Sequence, residues 1–227
     1  MSVEKVNTLV VGGGQAGIAA SEHLSNLGIS HIVLEKDRIA ERWRTARWDT
    51  LVANGPAWHD RFPNLEFNVS GPDDFPNKDE VADYFEAYVK MINAPLRTGV
   101  EVIKAAAVAG GNGYHIETTN GTIHAQNIVA ATGPFQKPVF PKLIPEDPDL
   151  LQIHSNAYKN PAALPDGGVL VVGAGSSGAQ IAEELMTSGR DVYLSVGPHD
   201  RPPRAYRNRD FVWWLGVLGL WDMAAQE

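Results

Sequence analysis

A chain of 227 residues, 44% of them hydrophobic, can bury one large or two small cores. Its formal net charge of −8 argues against a nucleic-acid surface, and the absence of cysteine excludes disulfides, thiolate metal sites and a Cys-x-x-Cys redox pair within it. No His-Glu-x-x-His helix, EF-hand loop, Walker lysine or Gly-x-Ser-x-Gly elbow occurs, so neither a metal site nor serine-hydrolase chemistry is expected.

The polar start shows no signal-peptide pattern, so a cytoplasmic location is expected. Thr8 to Val11 reads as a strand that runs into Gly12-Gly13-Gly14-Gln15-Ala16-Gly17, a Gly-x-Gly-x-x-Gly turn. The helix that follows, Gln15 to Leu27, places Ala16, Ala20, Leu24 and Leu27 on one expected core face and ends at Gly28. The next strand, His31 to Leu34, leads to Glu35 and Lys36. A carboxylate at the position of Glu35 accepts hydrogen bonds from the free hydroxyls of an adenosine ribose.

A Trp- and Arg-rich tract, Glu41 to Pro56, follows, and then Phe75-Pro76-Asn77-Lys78-Asp79-Glu80 starts a helix through Lys90 with Val81, Tyr84, Phe85, Tyr88 and Val89 on its apolar face. Runs at 100–109, 113–119 and 121–131, with Asn120-Gly121 between the last two, read as a small antiparallel meander leading into the strand Asn127 to Ala131, which ends in Ala131-Thr132-Gly133. The proline-rich stretch 134–168 reads as a linker, which puts the units at 1–140 and 168–227 with a linker at 141–167.

A second copy of the fingerprint then appears, Gly173-Ala174-Gly175-Ser176-Ser177-Gly178, after Val169 to Val172 and before a helix whose expected buried face is Ile181, Ala182, Leu185 and Met186. In both copies the first glycine permits the turn, the second lets a pyrophosphate approach the backbone and the third lets helix and strand pack closely. The helix N-terminus adds amides and partial positive charge. In the second copy the strand ends Tyr193-Leu194-Ser195-Val196-Gly197, without an acid. A 2′-phosphate is repelled by a carboxylate and attracted by arginines such as Arg201 and Arg204. The first copy therefore fits FAD or NAD, and the second fits NADPH. The tail Phe211 to Trp221 is too short to span a bilayer and reads first as a buried helix, with a surface that meets a membrane or a partner as the alternative.

Taken together, Gly12, Gly14, Gly17 and Glu35, the tract Glu41-Arg42-Trp43-Arg44 to Pro56, Ala131-Thr132-Gly133, and Gly173, Gly175 and Gly178 resemble the flavin-containing monooxygenase group, the class B flavoprotein monooxygenases. The resemblance implies an α/β fold of two Rossmann-like units with a small meander, the first unit binding FAD and the second NADPH. It implies an enzyme in which reduced flavin and O2 give a C4a-peroxyflavin that oxygenates a small organic substrate. Trp43 and Arg44 would lie along FAD, and Asn54, in Leu51-x-x-Asn54-x-Pro56, near the reactive edge of the flavin. The group's identifying motif is half present, as His154-Ser155-Asn156-Ala157-Tyr158, with Pro148 and Leu150 in place of Phe and Gly. Members of the group continue past Glu227 and return to the FAD fold, so a fragment or a half-length relative is expected.

Plainer readings stand beside these. Asn54-Gly55-Pro56 is also a turn sequence, Trp43 and Trp48 suit core packing, and the arginines suit a solvated loop. An NAD(P)H:acceptor reductase and a non-catalytic dinucleotide binder are the alternative functions. The expected partners are a small-molecule substrate and O2, with no nucleic acid, while the substrate and a homo-oligomeric state stay open.

Overall fold

The first fingerprint sits at the carboxyl end of a central parallel strand. The computed structural model describes residues 3–141, 145, 147–198 and 202–224. Its elements are β1 (Glu4–Val11), α1 (Gln15–Asn26), β2 (His31–Leu34), α2 (Glu41–Thr45), α3 (Ala57–Asp60), α4 (Lys78–Met91), β3 (Leu96–Arg97), β4 (Val102–Ala107), β5 (Tyr114–Thr118), β6 (Gly121–Ala130), β7 (Val169–Val172), α5 (Ser176–Thr187), β8 (Val192–Ser195), β9 (Ala205–Tyr206), β10 (Arg209–Asp210) and α6 (Phe211–Val217). They form two compact units: Met1–Arg47, Phe62–Leu65 and Lys78–Pro145, and Trp48–Arg61, Glu66–Asn77 and Glu146–Glu227. Most of the tract between Trp48 and Asn77 thus groups with the second fingerprint.

In the first unit one six-stranded sheet runs β3-β2-β1-β6-β5-β4. β1 pairs in parallel with β2 and β6, whereas β4, β5 and β6 pair antiparallel. The expected meander is therefore the antiparallel wing of the same sheet, because β6 pairs along one edge with β5 and along its other edge with β1, residues Ile123 to Ala125 bonding to both. Leu9, Ile32, Leu34, Val100, Ile116, Ile123 and Ala125 form one buried cluster across both parts.

Helix α1 covers the expected residues but turns a different face inward. Its buried residues are Gly17, Ile18 and Ser21, while Ala16 is exposed and Leu27 is 73% exposed. The cause is Gly17: a Cβ there would stand 1.8 Å from the carbonyl oxygen of Gly12, so this residue, lacking one, sets the rotation of the helix. Ser21 then meets His31 of β2, Oγ to Nε2 at 2.8 Å, and Nδ1 of His31 lies 2.9 Å from the carbonyl of Ile29. A carbonyl only accepts, so Nδ1 carries the proton and Ser21 donates to Nε2. Helix α4 buries Val81, Ala82, Tyr84, Phe85 and Tyr88, and Phe62 stacks on Tyr88 at 4.4 Å.

In the second unit β7 and β8 pair in parallel around α5, repeating the β1-α1-β2 arrangement. Ile181 and Leu185 of α5 are buried as expected; Met186, placed in the core by its spacing, is 64% exposed. The residues before β7 are tied down by Arg190, whose guanidinium donates to the carbonyls of Pro161, Leu164, Pro165 and Gly167. Tyr158 is buried and donates to Glu184 of α5 at 2.7 Å; burial and then the Glu184 carboxylate push its hydroxyl well above the usual phenol range. The tail corrects another expectation. It forms the short α6, of which Val212 alone is buried, and Val217, Leu218, Leu220 and Trp221 are exposed. Gly219, at φ 69°, follows the helix. Among the described residues no helix is long and apolar enough to cross a membrane.

Candidate functional site

The first cradle is assembled at the carboxyl ends of β1, β2 and β6, where the chain leaves β1 toward β2 on one side while β6 lies on the other. Such a switch in strand order opens a crevice for ligands. Gly12 has φ 108°, and a Cβ on it would meet the carbonyl oxygen of Ala131 at 2.4 Å, so the Ala131-Thr132-Gly133 segment passes directly beside the turn. Gly14 faces open space: a Cβ there would meet nothing within 4 Å. Helical bonding begins with Ile18 N to Gly14 O at 2.9 Å, and no side chain caps the helix. The early amides, including those of the exposed Gln15 and Ala16, are thus presented to an anion.

Glu35 is held at the edge of this turn. Its Oε2 accepts from Gly13 N at 2.7 Å and its Oε1 from Asp37 N at 3.0 Å. Each carboxylate oxygen keeps a second lone pair, so the group that braces the turn can also accept ribose hydroxyls. Lys36 beside it is exposed. On α2, Arg44 pairs through Nη2 with Asp83 at 3.0 Å and Glu86 at 2.8 Å of α4, and its Nε is buried without a hydrogen-bond partner. Trp43 meets Phe85 edge-on at 6.4 Å, and the Arg47 guanidinium lies 5.2 Å from the Trp43 ring. The open face at Gly14, the uncapped helix, Glu35 and the orphaned Nε of Arg44 all fit a dinucleotide.

The second cradle repeats the first down to its hydrogen bonds. Gly173 has φ 99°, Gly175 faces open space, and a Cβ on Gly178 would lie 1.9 Å from the Gly173 carbonyl oxygen. Gly12 N donates to Leu34 O at 2.8 Å and Gly173 N to Ser195 O at 2.9 Å. The register Val11 with Leu34 and Val172 with Ser195 therefore sets Val196 where the first copy has Glu35. Val196 is 55% exposed. Ser176 and Ser177 open α5, which likewise has no side-chain cap. This cradle fits a dinucleotide too, without a carboxylate at the ribose position.

Of the arginines, Arg201 lies outside the described residues. Arg204 is anchored: its Nε pairs with Asp210 at 2.8 Å, and its guanidinium stands 4.4 Å from the Phe75 ring centre and 5.2 Å from that of Phe211. It lines a cleft of about 560 Å³ with Trp58, Phe75, Arg209 and Trp213. Arg207 and Asn208, at φ 50° and 57°, form the tight turn between β9 and β10.

Asn54 is exposed and belongs to the second unit. Its segment is braced on several sides. Ala53 N donates to Pro76 O at 2.8 Å, Val52 bridges to Asn77, and Asp49 N donates to Lys159 O at 2.9 Å. Gly55 N donates to Oδ2 of Asp60 at 3.0 Å, and Oδ1 of Asp60 lies 2.8 Å from Nδ1 of His59. A Cβ on Gly55 would fall 2.1 Å from that carboxylate, so any larger residue there would have to displace the Asp60 side chain. Trp48 is buried. Reading the sequence did not single out Asp60 or Gln180, which reaches Val52 and Asn54 from α5. In the aligned copies Gln180 stands where α1 has Ala19.

A sequence profile of the pyridine nucleotide-disulphide oxidoreductase family matches residues 9–214. An uncharacterized CzcO-like oxidoreductase of Geobacillus kaustophilus is 39% identical over 218 residues, 95% of this chain and 61% of that protein. A probable indole-3-pyruvate monooxygenase of Arabidopsis thaliana is 30% identical over 183 residues, 78% of this chain and 43% of that protein. In structure, the flavin-containing monooxygenase from Stenotrophomonas maltophilia shares the fold at a TM-score of 0.79 and 24% identity, over 94% of this chain and 64% of that one. The resemblance to the monooxygenase group and the α/β fold are thus borne out, and the chain spans 61% of its CzcO-like relative. With a paired nucleotide fingerprint and a profile match across most of its length, this chain belongs to the pyridine nucleotide-disulphide oxidoreductase family.

Proposed function

We propose that the chain serves an FAD- and NADPH-dependent oxidoreductase of the monooxygenase type, with residues of the first unit holding FAD and residues of the second holding NADPH. The observation that carries this reading is the asymmetry of two otherwise matched cradles: Glu35 in one and Val196 in the other. FAD, when bound, supplies the two-electron chemistry between NADPH and O2, through which oxygen passes to a small organic substrate.

The protein's part is binding and orientation. Gly14 and the amides at Gln15 and Ala16 receive the FAD pyrophosphate, with Gly12 and Gly17 shaping the turn. Glu35 accepts the ribose hydroxyls, Lys36 stands beside it, and Trp43, Arg44, Thr132 and Gly133 complete the site. Gly173, Gly175, Ser176, Ser177 and Gly178 take the second pyrophosphate, and Arg201 and Arg204 attract the 2′-phosphate. Asn54 is the catalytic candidate: an amide donates a hydrogen bond to the reacting atoms without titrating. The disulphide-reducing chemistry in the family's description requires a dithiol, and these 227 residues contain no cysteine.

The test is a visible spectrum of the purified chain with and without added FAD, followed by NADPH titration under air. Flavin absorbance with consumption of NADPH and O2 is expected. A colourless chain that takes up no FAD overturns the reading, and NADPH oxidation that never yields an oxygenated product assigns the acceptor-reductase alternative instead. For the phosphate contacts, replacing Arg201 and Arg204 together with glutamine is expected to raise the apparent constant for NADPH at least tenfold more than that for NADH. An equal rise for both dinucleotides assigns these arginines to the loop alone.

A further inference from the structure

In the two aligned fingerprint helices, a small residue of α1, Ala19, is replaced in α5 by a long polar one, Gln180. The Gln180 carboxamide spans the main chain of Val52: Oε1 accepts from Val52 N at 3.3 Å, and Nε2 donates to Val52 O at 3.2 Å. A second, longer contact runs from Nε2 to Oδ1 of Asn54 at 3.5 Å.

The chemistry of these partners removes the usual ambiguity of amide orientation. A main-chain N–H can only donate and a carbonyl can only accept, so the Gln180 amide has one orientation that satisfies Val52. Its Nε2 then offers the second hydrogen to an acceptor, and the group it meets must be the oxygen of Asn54. With Oδ1 turned toward Gln180, the NH2 of Asn54 is left on the other side of its amide. The main chain flanking Asn54 is meanwhile fixed by Ala53 N to Pro76 O and Gly55 N to Asp60 Oδ2.

We propose that Gln180 is the positioning residue for Asn54: it orients the Asn54 carboxamide so that a donor is offered to the reacting atoms, and it ties that segment to the helix carrying the nicotinamide-nucleotide turn. This rests on the reading of Asn54 given above. It also explains why a polar side chain stands on α5 one residue before the buried Ile181.

The test compares Gln180→Glu and Gln180→Ala. Gln180→Glu keeps the shape and the acceptor for Val52 N but turns a second acceptor toward Val52 O and Asn54, so the Asn54 amide must rotate. The first readout is the side-chain amide resonance of Asn54 in the 15N-labelled chain, assigned by its loss in Asn54→Asp. It is expected to shift in Gln180→Glu while hydrogen exchange of the Val52 amide stays slow. In Gln180→Ala, exchange across 51–56 is expected to rise about tenfold, the scale of one lost hydrogen bond, with α5 unchanged. In the FAD- and NADPH-loaded enzyme both variants are expected to lower kcat about tenfold with KM for NADPH within about twofold, and to have no further effect in an Asn54→Ala background. An unmoved Asn54 resonance in Gln180→Glu, or effects that multiply with Asn54→Ala, overturns the proposal. Should Gln180→Ala fail to fold, Gln180→Glu alone decides. If the resonance and exchange respond as expected but Asn54→Ala turns over normally, the orienting role of Gln180 stands and the reading of Asn54 falls.

Discussion

Val196→Glu is expected to weaken NADPH binding about 100-fold while leaving NADH binding unchanged or tighter. The strand register places Val196 where the first cradle holds Glu35, and at 55% exposure the side chain contributes little to packing, so the fold should tolerate the change. Two like charges about 4 Å apart repel by about 4 kcal/mol at the effective dielectric near a protein surface. Salt screens part of this, and about 2.7 kcal/mol corresponds to 100-fold. The gain for NADH should be smaller than the loss for NADPH. In the first cradle the carboxylate is pinned by two amides, of Gly13 and Asp37, whereas the residue matching Asp37 is Pro198, which has no N–H to give. Titration with each dinucleotide, followed by calorimetry or nicotinamide fluorescence, checks the result. A parallel loss for both would mean that the ribose is not read at this position.

The second large effect separates binding from folding within a single turn. Gly14→Val is expected to leave the melting temperature within about 2 °C but to lower FAD affinity at least 100-fold, because the new side chain enters open space that the pyrophosphate needs. Backbone strain does not complicate it, since Gly14 has φ −83°, open to any residue. Gly17→Ala should behave in the opposite way. Its methyl would stand 1.8 Å from the Gly12 carbonyl oxygen, a main-chain atom that cannot step aside without moving β1 or α1. Overpacking of this kind costs about 2–3 kcal/mol, a fall of about 5–10 °C in Tm for a chain of this length. Calorimetry without nucleotide, paired with FAD titration, distinguishes the two. If Gly14→Val lowered Tm as far as Gly17→Ala does, the open face at Gly14 would have a structural and not a ligand-binding purpose.

Much of this architecture is written locally. Both glycine turns, the strand His31–Leu34 and the ends of α1 and α5 at Gly28 and Gly189, with φ of 68° and 85°, follow from residues within a few positions of one another. The backbone freedom of glycine and the period of a strand act at that range. The asymmetry between Glu35 and Val196 is equally local, being one position counted from the end of a strand.

The rest depended on partners distant in the chain. Spacing gave α1 an alanine-rich inner face, but contact between Gly17 and Gly12 rotated Gly17, Ile18 and Ser21 inward. Met186 and the tail had the hydrophobicity of core residues, yet burial requires an opposing surface, which periodicity cannot supply. Nor could local pattern show that Asn54 is gripped from a helix more than a hundred residues later. A glutamine two positions past the last fingerprint glycine reads as an ordinary helix residue until folding brings the main chain of Val52 across its amide. The sequence alone therefore determined which turns can receive a nucleotide and what charge each offers; tertiary structure decided which faces are covered and how Asn54 is aimed, because packing and hydrogen bonding between remote segments have no signature in either segment alone.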